Sequence, residues 1–218
     1  MNASKRRIAG VDWSVYVILD PRALPAGQTL LDVAEAALEG GAGVLQLRDK
    51  QSEGRELVEH ARRLARLCVE HDATFIVNDR LDVAMAAGAD GVHLGPTDMS
   101  PRDARRVAPG LILGGSAGTP ELARDYLDAG VDYLGVGAMF DAGPSKPDAS
   151  APRGPEAMAR IREFTDIPLV GIGGITVETA GQVIEAGADG VAVIREVVGA
   201  EEPKAATEAL ASAVAGAS

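Results

Sequence analysis

Aromatic residues, cysteine and basic charge are all scarce in this 218-residue chain, and each scarcity excludes something. Aromatics make up only 3%, so the core is built from Ala, Val, Leu and Ile with many of the 26 glycines. That suits short buried strands and closely approaching helices, not a β-sandwich that leans on large rings. The single cysteine, Cys68, cannot form an intramolecular disulfide, and its apolar helical setting reads as burial rather than reactivity. Basic residues number 21 against 32 acidic, a net charge of -11. A nucleic-acid partner is therefore not expected, because phosphate-backbone binding needs a basic face. Phosphorylated small molecules stay open, provided that their site is locally basic or lined with backbone N–H groups. No apolar run approaches the roughly 20 residues that span a bilayer. Residues 1–10 carry basic side chains without a following apolar stretch and cleavage site, so the expectation is a cytoplasmic protein with no membrane partner.

What is present is alternation. Hydrophobic residues at 46% and charged residues at 24% describe an ordinary globular chain. Eight short β-branched runs are predicted as strands, at 15–20, 44–49, 74–79, 91–95, 111–116, 133–137, 168–173 and 190–194. Between them lie helical segments such as 53–70, where Leu57, Ala61, Leu64 and Cys68 recur at helical spacing and Arg55, Glu59, Arg62, Arg63 and Arg66 form the solvated face. An echo precedes the even-numbered strands: Gly40-Gly41-Ala42-Gly43, Ala87-Gly88-Ala89-Asp90, Ala129-Gly130-Val131-Asp132 and Ala186-Gly187-Ala188-Asp189. Each reads as a helix C-terminus closed by glycine and followed at once by a strand. The expected fold is one (β/α)8 barrel over 15–218 behind an N-terminal extension, 1–14. A doubly wound open sheet is the alternative, disfavoured because no G-x-G-x-x-G follows strand one. The long irregular stretch 138–155 has the character of a functional loop.

In such a barrel, chemistry collects at the C-terminal ends of the strands. Gln46, Arg48 and Lys50 follow one another at period two and so share a face; inward-facing cations there are costly unless they bind an anion or pair with an acid such as Asp49. Asp79 and Asp98 end adjacent strands and together suit a hard cation such as Mg²⁺; for Asp98 a helix cap or turn is the plainer reading. His93 reads more simply as a satisfied rim histidine than as a catalytic one. Strand five ends at Ser116, the sixth loop offers Ser145 and Lys146, and Gly171-Ile172-Gly173-Gly174-Ile175 opens a helix as a phosphate-binding turn would.

Together these residues resemble the thiamine phosphate synthase family over roughly 15–197. The resemblance is carried by Gln46-Leu47-Arg48-Asp49-Lys50, Asn78-Asp79-Arg80, Gly91-Val92-His93-Leu94-Gly95 with Asp98, Ser116, Asp132-Tyr133-Leu134-Gly135-Val136-Gly137, Lys146 and the glycine turn. It implies a transferase that joins a hydroxymethylpyrimidine diphosphate to a thiazole phosphate and releases pyrophosphate, with Mg²⁺ as cofactor. It also implies that Gln46, Arg48, Lys50, Asn78, Ser116, Ser145 and Lys146 bind the pyrimidine diphosphate, with Arg48, Lys50 and Lys146 catalytic. Asp79 and Asp98 would hold the metal, and Gly173, Gly174, Ile194 and Arg195 would meet the thiazole phosphate. Three positions depart from the family pattern: the sixth loop is one residue longer with Ala142 for a threonine, Pro96 stands for a glutamine, and Ile194-Arg195 stands for Val-Ser. The alternatives are a thiazole tautomerase on the same fold, a paralogue with another phosphorylated acceptor, or a non-catalytic phosphate binder. Arg195 is a new phosphate ligand, a residue that blocks the pocket or serves a different acceptor, or a surface partner of Glu196, Glu178 or another acid. A homo-oligomer is left open.

Overall fold

Alternation along each strand fixes which side chains face the helices and which face inward, and the structure, a computed structural model, shows both sets. It describes residue 4 and residues 7–141 and 152–217. In chain order the elements are β1 (Val15–Leu19), α1 (Leu30–Glu39), β2 (Val44–Leu47), α2 (Gly54–Glu70), β3 (Thr74–Asn78), α3 (Leu81–Ala87), β4 (Gly91–Leu94) and α4 (Pro101–Val107). There follow β5 (Ile112–Ala117), α5 (Pro120–Asp128), β6 (Tyr133–Gly137), α6 (Pro155–Arg162), β7 (Leu169–Ile172), α7 (Val177–Glu185), β8 (Gly190–Val193), the short α8 (Arg195–Val198) and α9 (Pro203–Ala215). All eight predicted strands are present. Each pairs in parallel with the next, and β8 returns to β1 with Val191 opposite Val15, so the sheet is a closed barrel and not an open one.

The repeated segment has a physical reason. Gly41, Gly88, Gly130 and Gly187 all adopt positive φ, which lets each helix turn directly into the next strand. The aspartate that follows in three of the four copies clamps the neighbouring strand's start. Asp90 accepts the N–H of Phe75, Asp132 that of Leu113 and Asp189 that of Leu169. The first copy has Gly43 in that place, because a Cβ there would lie 2.3 Å from the Asp12 carbonyl oxygen.

Two apolar layers result. Val15, Val17, Leu45, Leu47, Phe75, Val77 and their counterparts pack outward against the helices. Inward-facing Tyr16, Ile18, Val44, Ile76, Ile112, Tyr133, Val170 and Ala192 fill the barrel with Trp13. Three of the seven aromatic rings, those of Trp13, Tyr16 and Tyr133, meet on the barrel axis, with Trp13 and Tyr133 centroids 4.6 Å apart. They fit because strands β4 to β6 offer glycines: a Cβ on Gly114 would lie 2.3 Å from Tyr133 Cζ and 2.5 Å from His93 Nδ1. Residues 7–14 lie across the barrel's foot, with Ile8 and Val11 packed on the inner cluster. Arg7 is tied there to the fully buried Asp132, 2.6 Å away, which Arg105 also meets at 2.6 Å.

Candidate active site

The inner side chains thin out toward the C-terminal rim and leave a cavity of about 130 Å³. Its walls include Gln46, Arg48, Asn78, His93, Ser116 and Ile194, from β2, β3, β4, β5 and the end of β8. Six of the residues singled out from sequence are therefore brought to one place by the barrel's closure.

Arg48 is held by an acid, as a buried cation must be, but the acid is Asp20 at the end of β1 and not Asp49. Asp20 Oδ2 accepts from Arg48 Nη1 and Arg22 Nη2, and Oδ1 accepts from the Arg22 backbone and Nε. Burial by itself would raise the Asp20 pKa, but the Arg22 hydrogen bonds and the two guanidinium charges outweigh it and hold it below the usual range. Asp49 instead accepts the N–H groups of Gln51 and Ser52 and so shapes the loop after β2. Lys50 lies on the other side of that loop, with Nζ 3.3 Å from Asp79 Oδ2.

Asp79 takes a positive φ of 63° and gives its N–H to the His93 carbonyl at 2.8 Å, which turns its side chain out of the strand direction toward β4. There it meets Asp98, whose carboxylate accepts the Gly95 N–H at 2.7 Å. Asp98 closes the turn from Gly95, to whose carbonyl it also gives its N–H at 3.2 Å, so the turn half of its plainer reading holds; the cap of α4 is Ser100, accepting from Asp103 N. Burial and the adjoining Asp79 carboxylate, within hydrogen-bonding reach, raise the Asp98 pKa, while the Gly95 N–H bond and, less, the Lys50 charge oppose them. Two carboxylates forced together in this way are a site that a cation relieves. Among the described residues no group of three or more His, Cys, Asp and Glu side chains could hold a metal. A two-carboxylate set suits a hard ion that keeps water or takes phosphate oxygens for its remaining positions.

The cavity floor is a continuous hydrogen-bonded chain. Gln46 Nε2 donates to the Tyr16 hydroxyl at 2.6 Å, and the Tyr16 and Tyr133 hydroxyls are 2.9 Å apart. Tyr133 meets His93 Nδ1 at 3.0 Å, and His93 Nε2 meets Ser116 Oγ at 2.8 Å. Burial lowers the His93 pKa to about 4 and raises both phenols above their ordinary value. His93 is thus a satisfied neutral histidine, as its simpler reading held, yet it sits in the cavity wall. Tyr16 and Asp20 were not singled out from sequence, and Tyr133 was named only within the motif of the family resemblance, without a site role. The available signal was two tyrosines on inward-facing strand positions of a chain almost without aromatics.

The β7–α7 turn contains Gly173 at φ 103° and Gly174 at φ 63°. Both are also crowded by the start of the sixth loop: a Cβ on Gly173 would lie 2.8 Å from Ala138 Cβ, and one on Gly174 2.6 Å from the Asp141 carbonyl oxygen. Of the amides that open α7, Thr176 N donates to Thr179 Oγ1 and Val177 N to the Glu196 carboxylate. The second bond ties α7 to α8, so exposed Arg195 at the start of α8 neighbours this turn. Glu196 accepts from Val177 N through Oε1 and Glu178 from Thr176 Oγ1 through Oε2. Ser145, Lys146 and Ala142 lie outside the described residues.

Comparison with known proteins agrees with this geometry. The family model described as thiamine monophosphate synthase matches residues 15–197. The thiamine-phosphate synthase of Haloarcula marismortui is 48% identical over 208 residues, covering 94% of this chain and 98% of its own length. That of Moorella thermoacetica is 47% identical over 203 residues, covering 93% and 96%. Among solved structures, a thiamine phosphate pyrophosphorylase from Pyrococcus furiosus superposes with a TM-score of 0.87 at 41% identity, covering 95% of this chain and 98% of the other. With matches of this length and identity on the same closed barrel, the chain belongs to the thiamine-phosphate synthase family.

Proposed function

We propose that this chain joins a hydroxymethylpyrimidine diphosphate to a thiazole phosphate, forming thiamine phosphate and releasing pyrophosphate. The observation that carries it is the convergence of Gln46, Arg48, Asn78 and Ser116 on one rim cavity, beside the Asp79–Asp98 carboxylate pair. The tautomerase alternative has no use for that pair, and the relatives are named as synthases.

The bond that breaks joins the pyrimidine's methylene carbon to the diphosphate oxygen; the bond that forms joins that carbon to the thiazole nitrogen. Arg48, fixed by Asp20, and Lys50, drawn toward Asp79, place positive charge where the leaving diphosphate gains negative charge. Gln46, Asn78 and Ser116 orient the pyrimidine from the cavity wall, and the family resemblance gives Lys146 the role of a further cation for the diphosphate. Gly173, Gly174, Ile194 and Arg195 form the side that meets the thiazole phosphate. Asp79 and Asp98 would hold Mg²⁺, which when bound supplies further charge neutralisation for the departing diphosphate. The protein's task is positioning and electrostatics; no side-chain nucleophile is required. Among the described residues no helix is long and apolar enough to cross a membrane.

The test is pyrophosphate release from the two substrates with and without Mg²⁺. Release that depends on both substrates and is lost on chelation is the expected result. No release with thiazole phosphate at any Mg²⁺ concentration would refute the reading.

A further inference from the structure

The chain Gln46–Tyr16–Tyr133–His93–Ser116 has a direction. Gln46 Nε2 can only donate to the Tyr16 oxygen. Among the described residues the Tyr16 hydrogen then has one acceptor, the Tyr133 oxygen. Among the same residues the Tyr133 hydrogen in turn has His93 Nδ1, which must then be the bare nitrogen of the ring. The ring proton is therefore on Nε2 and donates to Ser116 Oγ, leaving the serine hydrogen to point at a ligand. At the other end, the Gln46 amide is left with Oε1 as its acceptor. Turning the amide over would reverse every hydrogen in the chain. Five side chains from β1, β2, β4, β5 and β6 thus share one setting, and both ends of it line the rim cavity.

We propose that Tyr16, Tyr133 and His93 are positioning residues that fix this polarity, so that Gln46 accepts and Ser116 donates toward the ligand. The pocket then selects a ring carrying an amino donor and a ring-nitrogen acceptor. It disfavours the oxo counterpart, which would set a carbonyl oxygen against Gln46 Oε1. A buried polar group left facing its own kind discriminates strongly, because the mismatch removes its hydrogen bond without returning it to water. The identity of the ring rests on the pyrimidine diphosphate reading above; the polarity of the chain does not.

The geometry explains why tyrosine and not phenylalanine occupies 16 and 133. Either ring would fill the barrel, but only the hydroxyls pass the direction on. In Tyr133→Phe the Tyr16 hydrogen loses its acceptor and is free to seek Gln46 Oε1, which turns the amide over. In Tyr16→Phe, Gln46 loses its anchor outright. Neither change alters the charge or the carboxylate pair at the rim.

Two measurements test this. Nitrogen-15 NMR of the ligand-free protein, with His93 assigned apart from His60 and His71, reads the tautomer directly. The expected signal is a proton on Nε2 in the wild type and a mixture or the Nδ1 form in Tyr133→Phe. Calorimetric binding of the aminopyrimidine diphosphate and its 4-oxo analogue then reads selectivity. Their Kd ratio is expected to fall about tenfold or more in both Tyr133→Phe and Tyr16→Phe. A proton on Nδ1 in the wild type would overturn the polarity. A Kd ratio that stays within about twofold while both ligands weaken equally would show that the hydroxyls only support the fold. If the polarity is as derived and neither diphosphate binds the wild type, the pyrimidine reading fails and the chain's direction survives.

Discussion

Replacing Asp98 by Asn separates the electrostatics of the rim from its packing, and the sign of the outcome is not the usual one for loss of a half-buried carboxylate. In the ligand-free protein Asp79 and Asp98 face each other, and burial together with Asp79 holds the Asp98 pKa above its ordinary value. Two unit charges about 4 Å apart repel by about 1 kcal/mol in water and about 4 kcal/mol at an effective dielectric of 20. The Lys50 ammonium, 3.3 Å from Asp79, offsets part of this. A net cost of roughly 1–2 kcal/mol is reasonable for a pair that keeps some solvent. The amide of the Asp98→Asn variant retains an oxygen for the Gly95 N–H and gains an NH₂ group that donates to Asp79, so a repulsion becomes a hydrogen bond. The sign follows from linkage: a carboxyl with a raised folded pKa makes stability fall as pH rises through that pKa, and the amide removes the fall. Without Mg²⁺, Asp98→Asn should raise Tm by roughly 2–8 °C, at about 2–4 °C per kcal/mol for a chain of this size. With Mg²⁺ at about a hundredfold excess over its Kd, the wild type should gain about 2.7 kcal/mol and overtake the variant, which should not respond. Differential scanning calorimetry with and without chelator measures both. A variant less stable than wild type in chelator, or one that keeps the full Mg²⁺ response, would refute the reasoning.

Asp132→Ala should cost about 3 kcal/mol in urea unfolding, because it strands two guanidiniums and the Leu113 N–H at the barrel's foot. Burial would raise the Asp132 pKa, but hydrogen bonds from Arg7, Ser4 and Leu113 and the Arg105 charge hold it low. Its contribution is therefore present above the unfolded carboxyl pKa of about 4 and fades as pH falls further; the variant should lack that part of the acid-side slope. Gly114→Ala should cost roughly 1–3 kcal/mol or more, since its Cβ would meet Tyr133 Cζ at 2.3 Å in an interior with no room to yield; an equilibrium unfolding curve that matches wild type would contradict the close approach. Arg195→Ala should weaken thiazole phosphate binding about tenfold by calorimetry, as loss of a charge-assisted contact predicts, and leave the pyrimidine diphosphate unaffected; equal binding by both proteins would assign Arg195 to the surface.

Much of this was legible in the sequence because it depends on local rules. Eight apolar runs, four glycine-closed helix ends and the period-two placement of Gln46 and Arg48 require no knowledge of neighbours, since side-chain direction in a strand is set by parity alone. Lys50 does not follow that rule, because β2 ends at Leu47 and Lys50 turns to Asp79 instead of lining the cavity. Closure of the sheet then carried Gln46, Arg48, Asn78 and Ser116 to one cavity, as the barrel reading required. What parity cannot supply is the partner. That Arg48 is held by Asp20 and not by its sequence neighbour Asp49 follows from β1 and β2 lying side by side, with their ends at one rim. That Asp98 leans on Asp79 follows from the positive φ at 79, a backbone choice that non-glycine residues seldom make and that composition does not announce. The chain from Gln46 to Ser116 is more distant still. It joins residues 16, 46, 93, 116 and 133 through the barrel axis, and its members meet because Gly114 and Gly135 leave space for the Tyr133 and His93 rings. The sequence by itself determined which residues face inward at the rim. Only the closed barrel decided which of them touch, because contact across the axis depends on the volume that other strands leave empty.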